Sequence, residues 1–299
     1  MKSIYKITML FILGLLLSSA CERTLFIDYS ENETKMVLNG ILSPNSGLWL
    51  NVSESVGASS AVNDSYIPVE EATVKIYHDD ELITTITENK MGNYFSSDFT
   101  PDEGGTYRIM VQAYGYPPAG STVRIPEKVE ITDFDTTVVV RDRHINSSNV
   151  SMEVDFYLKY FFSDPEEVLN YYMLGAYYSE FGEYHPINLD ADHLEMNIYI
   201  ISGLEILAFT DDNFNGESRE FNTQFTLYKN SGQETDIIFV LYSIEKDYFD
   251  YLKTYSQNFT VLNDDMLMFE PVMVTSNIEG GYGIISAVSS SSVRFNYTF

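Results

Sequence analysis

The sequence predicts a mainly β protein. Among its 299 residues are 23 tyrosines and 19 phenylalanines, and aromatic and β-branched residues favour strands over helices. Short stretches that alternate apolar and polar residues recur along the chain, and turn residues separate them about every 8 to 12 positions, which is typical of a β-sandwich. We therefore expect an N-terminal immunoglobulin-like β-sandwich, followed by a second β-rich domain that carries one clear helix.

The first 21 residues have the pattern of an export signal. Two lysines precede an apolar run over residues 7–17, and small residues lead into Cys21, the only cysteine of the chain. The run is shorter than the roughly 20 residues that a membrane-spanning helix needs. We predict a signal peptide at residues 1–20 and lipidation of Cys21, which would hold the chain on a membrane. The alternative is an ordinary secretory signal, with Cys21 an incidental thiol.

The charge of the chain excludes one class of partner. The 44 acidic residues outnumber the 17 basic ones, and the formal net charge is −27. Such a surface repels the phosphate backbone of a nucleic acid, and no basic stripe interrupts it. We attribute the acidity to solubility on a crowded outer surface, and affinity for cations or a basic partner is the alternative. Nucleic acid is therefore not an expected partner.

Composition also predicts the domain boundaries. The polar stretch that follows Cys21 predicts a lipidated cysteine and tether over residues 21–34. Alternating stretches then continue to the proline at position 126. We place the immunoglobulin-like domain at residues 35–126 and the β-rich C-terminal domain at residues 127–299.

In the first domain, a hairpin opens the predicted fold. Two alternating stretches flank a Pro-Asn-Ser-Gly turn, and Leu48, Leu50 and Val52 share one face of the second strand while Trp49 lies on the other. Residues 57–66 have loop composition. We expect strands at residues 35–42, 48–53, 72–78, 82–87, near 94, 106–113 and 121–125.

In the second domain, the clearest strand lies at residues 150–162, where apolar side chains occupy alternate positions. Ser243 is predicted to cap a helix whose apolar residues recur with helical spacing. Residues 141–149 are polar and predict a break. We expect the remaining strands at residues 129–140, 171–178, 196–201, 223–228 and 237–242, near Met273 and at 294–297.

No catalytic motif is recognisable in the sequence. It contains no nucleophile elbow, phosphate-binding glycine loop or dinucleotide fingerprint, and the four histidines lack zinc-ligand spacing. Adjacent carboxylates, such as Glu166-Glu167 and Asp264-Asp265, are expected by chance in so acidic a chain. They leave open a hydrolase that uses two carboxylates. We predict a protein that is not an enzyme and has no catalytic residues.

One short segment has the residue types of a calcium loop. Asp211, Asn213 and Asn215 place side-chain oxygens at alternate positions before Gly216, and such an arrangement can wrap a hard cation. An EF-hand loop would need a glutamate at its twelfth position, where this chain has Asn222. We predict a turn between two strands, with calcium as the alternative. No other cofactor is expected.

A glycine-rich segment near the C terminus is a second candidate site. Ser276, Asn277, Gly280, Gly281 and Gly283 form either a ligand loop or a structural crossing between strands, because glycine permits positive φ and close backbone approach. We favour the structural crossing.

The tyrosine-rich residues between positions 171 and 184 are a third candidate. Aromatic rings on an exposed surface can stack on a sugar or a peptide, but alternate tyrosines on a strand more often belong to the core and its rim. The aromatic residues concerned are Tyr171, Tyr172, Tyr177, Tyr178, Phe181 and Tyr184.

Several segments also occur in a recognisable order. They are KMVLNG at residues 35–40, GTYRI at 105–109, STVRIP at 121–126, FTDDNFNG at 209–216, FEP at 269–271 and SNIEGGYGI at 276–284. Their order and spacing resemble the Bacteroidota lipoproteins grouped as domain-of-unknown-function family 4249. Ser18 replaces the leucine of the strictest lipobox, and this relaxed form is similar to those of Bacteroidota.

The resemblance implies an outer-membrane lipoprotein, often encoded beside a TonB-dependent, SusC-like receptor, and it implies no catalytic residues. We therefore expect a surface-facing, non-enzymatic accessory subunit of a TonB-dependent nutrient receptor. The alternatives are a freestanding glycan- or peptide-binding surface lipoprotein and a carboxylate-dependent hydrolase.

Overall fold

The structure is a computed structural model. It describes residues 34–56, 67–96, 98–145, 150–166, 168–191, 196–201, 204–263 and 272–299. The predicted signal peptide, Cys21, the tether up to residue 33, the predicted loop at residues 57–66 and the FEP segment lie outside these ranges. Within them, no helix combines the length and the apolar character that a membrane span requires.

The predicted fold class is confirmed, because the described chain is mainly β with one helix. Strands of the first part are β1 (Met36–Ser43), β2 (Gly47–Glu54), β3 (Thr73–His78), β4 (Glu81–Lys90), β5 (Asn93–Ser96), β6 (Thr106–Gln112) and β7 (Ala119–Arg124). Of the predicted hairpin, β1 and β2 pair antiparallel as expected. Leu48 and Leu50 are fully buried, whereas Trp49 keeps 45% of its surface exposed.

The second part contains longer strands and the helix. Its elements are β8 (Ile131–Ile145), β9 (Val150–Ser163), β10 (Tyr171–Glu180), β11 (Glu183–Ile187), β12 (Asp190–Ala191), β13 (Asn197–Ile201), β14 (Leu204–Thr210), β15 (Ser218–Asn230), β16 (Glu234–Ile244), α1 (Lys246–Asn263) and β17 (Tyr282–Thr298).

Three local predictions are wrong. Within the break predicted at residues 141–149, residues 141–145 continue β8, because they pair with β9 and the guanidinium of Arg141 lies 2.7 Å from the carboxylate of Asp155. Residues 146–149 lie outside the described ranges. Ser243 does not cap the helix, since it lies in β16 opposite Ser289 and the helix begins at Lys246. Residues 272–278, around Met273, form no strand. By contrast, the strand predicted at 294–297 is present, as part of the much longer β17.

The strands form two sheets. The large sheet has the order β13-β14-β10-β16-β17-β1-β2-β5-β4-β3-β6-β7, with β11 added beside β10, and the small sheet has the order β12-β15-β9-β8. One core lies among the strands of the first part. A second core packs the small sheet against β10, β14 and β16. The opposite face of the large sheet, which we call the outer face, carries α1, whose Phe249 and Leu252 pack on Ala208 and Val288.

The last strand belongs to both halves of the molecule. Residues 282–287 of β17 pair parallel with β1, and residues 288–298 pair antiparallel with β16. Ile285 and Ala287 accordingly lie in the first core. The division at residue 126 stays a prediction, because one strand serves both parts.

A single carboxylate reinforces this junction. Glu245, between β16 and α1, accepts hydrogen bonds from the backbone N–H of Arg124 at 2.8 Å and of Ala287 at 2.9 Å. Burial raises the pKa of Glu245 to about 7. The side chain therefore ties β7 and β17 to the start of the helix.

Replacing Gly283 by alanine should destabilise the protein strongly. Gly283 has a φ of 104°, and a Cβ atom there would lie 2.2 Å from the carbonyl oxygen of Leu38 in β1. Gly115→Ala is the matched control, since Gly115 has a φ of 86° but its Cβ would meet nothing within 4 Å. We expect the control to lower the free energy of unfolding by about 1 kcal/mol, and Gly283→Ala by about 2 kcal/mol more.

Urea denaturation followed by circular dichroism measures both losses. Equal losses for the two variants would contradict the close approach of β17 to β1.

Candidate functional site

A cleft of about 530 Å³ lies on the outer face of the large sheet, beside α1. Its volume falls in the range of roughly 300 to 1,000 Å³ that is usual for small-molecule sites. The β1–β2 hairpin contributes Ile41 and Trp49, and β10 and β14 contribute Met173 and Ile206 on the other side. The cleft therefore spans the junction between the two halves of the molecule.

Strand alternation explains why aromatic rings reach this cleft. In β2 the neighbours of Trp49 point into the first core, so the indole lies on the outer face. In β16, Leu241 is fully buried in the second core, and the next residue, Tyr242, lines the cleft. Tyr177 of β10 and Tyr248 of α1 complete a set of four aromatic residues.

Two of these tyrosines are held together above a glycine. The hydroxyl oxygens of Tyr177 and Tyr242 are 3.2 Å apart. A Cβ atom on Gly175 would lie 3.0 Å from the ring of Tyr242 and 3.1 Å from that of Tyr177, so a larger residue there would press against both rings. Burial raises the pKa of Tyr242, and it raises the pKa of Tyr248 to about 12. Both hydroxyls therefore stay neutral at physiological pH.

The β1–β2 hairpin, which forms one wall of the cleft, is hydrogen-bonded to β17. The side-chain amide of Asn45, in the turn between β1 and β2, donates a hydrogen bond of 3.0 Å to the hydroxyl of Ser290 in β17. The neighbouring Ser46 lines the cleft. Both walls are thus built on hydrogen-bonded strands.

Polar side chains are few in the cleft. Glu205, an exposed residue of β14, is the one carboxylate among the described residues that line it, and these residues include no lysine, arginine or histidine. Asn188 adds a neutral amide. The lining is therefore aromatic and apolar. Alternation along β14 places the side chain of Glu205 on the face of Leu207 and Phe209, opposite Ile206 on the outer face.

The structure separates the tyrosine-rich residues of the sequence. Tyr171 packs on Phe249 of α1 with ring centroids 5.3 Å apart, and Tyr172 is buried in the second core. Tyr178 lies under the ammonium of Lys229, 4.2 Å from its ring centroid. Only Tyr177 of the predicted cluster lines the cleft.

Phe181 and Tyr184 of the same cluster are exposed, with Phe181 at the β10–β11 turn. Sequence reasoning missed the contributions of Tyr242, Tyr248 and Trp49 to a common site. The sequence offered one sign of this site, which was the position of Trp49 on the face of β2 opposite the core residues.

The glycine-rich segment lies at a crossing of backbones. A Cβ atom would come within 2.2 Å of the carbonyl oxygen of Pro118 at Gly280, and within 2.5 Å of that of Met36 at Gly281. Gly283 approaches β1 equally closely. The segment thus fits between β1 and β7.

Polar side chains of the same segment form hydrogen bonds with backbone groups of the segment and of Ile285, the residue that follows it. The amide of Asn277 donates to the carbonyl of Ile285 at 2.7 Å and accepts from its N–H at 3.1 Å. The hydroxyl of Ser276 accepts from the N–H of Ile278 at 3.3 Å. These contacts stabilise the crossing, and the segment is separate from the residues that line the cleft.

The calcium-like segment follows β14, and its Asp211 lies beside a second buried acid, Asp164, which follows β9. Asp211 is fully buried, and its carboxylate accepts from the backbone N–H of Asn170 at 2.9 Å. Asp164 is also buried, and it accepts from the hydroxyl of Tyr172 and from the N–H of Gly216, the latter at 2.9 Å. Burial, and then the charge of Asp164, raises the pKa of Asp211.

Asn213 and Asn215, by contrast, are exposed. The carbonyl of Asp211 accepts from the N–H of Phe214 at 2.8 Å, as in a turn. Within the ranges that the structure describes, no three His, Cys, Asp or Glu side chains group to hold a metal ion. The geometry favours the predicted turn, and calcium stays an untested prediction.

Asp211→Asn should remove a pH dependence of stability. The asparagine oxygen can still accept from the N–H of Asn170, and the amide has no proton to lose. Because the raised pKa means that Asp211 holds its proton more tightly in the folded state than in the unfolded state, the stabilisation is present at low pH and is lost as pH rises through the raised pKa. We expect equal melting temperatures at about pH 4, and a variant that melts a few degrees higher at about pH 8.

Asn213→Ala is the control for calcium, because Asn213 lies in the same turn but is exposed. We expect calcium chloride to leave the melting temperature of the wild type unchanged. A calcium-dependent rise that Asn213→Ala abolishes would contradict the turn and establish the cation site.

Comparisons with solved structures give low similarity. The major pilin SpaA of Corynebacterium diphtheriae has 8% identity and a TM-score of 0.23, with 71% of this chain and 69% of the pilin covered. The collagen adhesin CNA of S. aureus has 8% identity and a TM-score of 0.20, with 90% and 95% covered. The collagen-binding domain of RspB of Erysipelothrix rhusiopathiae has 7% identity and a TM-score of 0.18, with 86% and 96% covered. TM-scores this low assign no function to the chain.

No curated protein shows significant similarity to the chain. The family model described as domain of unknown function DUF4249 matches residues 22–294, which is nearly the whole sequence. The chain therefore belongs to the DUF4249 family.

Proposed function

We propose that this protein is a lipid-anchored binding protein of the outer membrane of a Bacteroidota cell, facing the surface. It serves as a non-enzymatic accessory subunit of a TonB-dependent, SusC-like nutrient receptor. The observation that carries the binding role is the aromatic cleft at the junction of the two halves. The lipid anchor and the receptor partnership rest on the Cys21 pattern and on the family resemblance.

The cleft has the composition of a ligand site. Apolar and aromatic side chains supply contact area, and a few polar groups, such as the hydroxyls of Tyr177 and Tyr242, supply direction. Its walls belong to paired strands, so little conformational entropy is lost when a ligand binds.

A hydrolytic role has less support. Hydrolysis by two carboxylates needs an acid and a partner about 5 to 10 Å apart on either side of the substrate bond. The described lining of the cleft offers Glu205 alone. The closely spaced pair, Asp164 and Asp211, is buried and hydrogen-bonded inside the protein, where a substrate has no access.

A freestanding glycan- or peptide-binding lipoprotein would use the same cleft. The two functions differ in whether a receptor barrel accompanies the chain in the membrane, so this partnership is the property to measure.

Gentle detergent extraction of native membranes tests the receptor partnership. The affinity tag belongs in the turn at Tyr114 and Gly115, because Tyr114 is fully exposed. The C terminus is unsuitable, since Phe299 is buried and its N–H bonds to the carbonyl of Gln233 at 2.9 Å. We expect a TonB-dependent barrel to co-elute in stoichiometric amount when the eluate is analysed by mass spectrometry.

Cys21→Ser is the control for the anchor, and we expect it to leave the membrane fraction and lose the barrel. Elution of the wild-type protein alone at every salt and detergent condition would overturn the accessory role. Retention of Cys21→Ser in the membrane fraction would overturn the lipid anchor.

A further inference from the structure

We infer that the ligand of the cleft is an uncharged, elongated molecule, with an oxygen end that bonds to the tyrosine hydroxyls and an apolar chain that leaves the cleft over Trp49 and rests on Phe95. This inference rests on the proposed function, in that it takes the cleft as the ligand site. It adds the chemical class of the ligand and a second contact surface, Phe95, beside the cleft.

Three residues in one row form an apolar strip. Ile41 is paired with Trp49 across β1 and β2, and Trp49 is paired with Phe95 across β2 and β5. Directly opposite residues of paired strands have their side chains on the same face. Ile41 and Trp49 line the cleft, and Phe95, which keeps 47% of its surface exposed, lies one strand beyond them. The strip therefore carries the apolar surface of the cleft onto β5.

The rows on either side of this strip offer little apolar surface. On one side Asn39 pairs with Asn51, and Asn51 with Asn93. The side-chain amide of Asn51 donates to the side-chain oxygen of Asn93 at 3.0 Å. On the other side Ser43 pairs with Gly47. The strip is therefore a single row wide, which suits an extended chain better than a broad partner surface.

The hydroxyls of Tyr177 and Tyr242 form the polar end of the site. They lie 3.2 Å apart, and either one can donate the hydrogen bond between them. Two phenols carry two hydroxyl protons, so the pair retains one proton that a ligand oxygen can accept. Burial raises the pKa of Tyr242, so its hydroxyl stays protonated over the physiological range. A hydroxyl or carbonyl oxygen of a ligand thus has a directed partner.

The lining disfavours charged ligands. The described residues that line the cleft include no lysine, arginine or histidine, and the side chain of Glu205 lies on the opposite face of β14. A charged group would lose hydration in the cleft and gain no opposite charge. The ligand class is therefore an uncharged amphiphile, such as a long-chain alcohol or ester.

Straight-chain alcohols test both ends of the proposed site. The probes are 1-hexanol and 1-dodecanol, each added to the full-length protein below its solubility limit. Trp49 is the only tryptophan of the chain and lies in the cleft, so its fluorescence reports binding there. Equilibrium dialysis measures the same binding without relying on the indole.

Phe95→Ser should lower the affinity for 1-dodecanol about fivefold and leave that for 1-hexanol unchanged, because only the longer chain reaches β5. Phe95 is exposed, so the substitution should not disturb folding. Phe181→Ser is the matched control, since it removes an exposed phenylalanine at the β10–β11 turn. We expect the control to change neither affinity.

The double variant Tyr177→Phe/Tyr242→Phe keeps both rings and removes both hydroxyls. We expect it to lower the affinity for both alcohols about fivefold, through the loss of one hydrogen bond. Dodecanoate and dodecylammonium have the same chain as 1-dodecanol with a charged end. We expect each to bind at least about tenfold more weakly than the alcohol.

The possible failures can be told apart. If dialysis shows no binding of either alcohol, the proposed use of the cleft is wrong, and the inference falls with it. If 1-hexanol binds but Phe95→Ser weakens 1-dodecanol no more than Phe181→Ser does, the cleft remains a ligand site and the strip is wrong. Unchanged affinity in the double variant would overturn the oxygen end, and binding of either charged probe as tight as that of 1-dodecanol would overturn the uncharged class.

Discussion

The divided pairing of β17 is the constraint on which the rest of the structure depends. One continuous strand is parallel to β1 over its first six paired residues and antiparallel to β16 over the remainder. The halves of the molecule cannot separate without breaking one of these ladders. Gly281 and Gly283 permit the strand to lie against β1, and Glu245 adds hydrogen bonds to both sides of the junction.

A continuous outer face follows from this pairing. Because β14, β10, β16, β17, β1 and β2 are consecutive neighbours, residues from both halves share one surface. The helix covers part of that surface, and the cleft is the part beside it that the helix leaves open. Trp49 and Tyr177 come from opposite sides of the junction, so the proposed binding site exists only when the halves are joined.

The sequence predicted strands far better than it predicted the site. Alternation correctly located β9 and the outward position of Trp49, because burial of one face imposes a two-residue period. Residues 141–145 were misread as a break, since polar side chains on an exposed edge strand resemble a loop. The cleft could not be predicted, because alternation does not reveal which strands are neighbours, and β1 and β17 come from opposite ends of the chain.

Native-state amide hydrogen exchange at increasing urea concentration tests the joining of the halves most directly. The amides of residues 284–287 in β17, those of β1 and those of β16 should lose protection together, with one common free energy of opening. Opening of the first half at a clearly lower free energy, while β16 and residues 288–298 stay protected, would contradict the joining of the halves. The two parts would then be independent units, and the cleft between them would not be a fixed site.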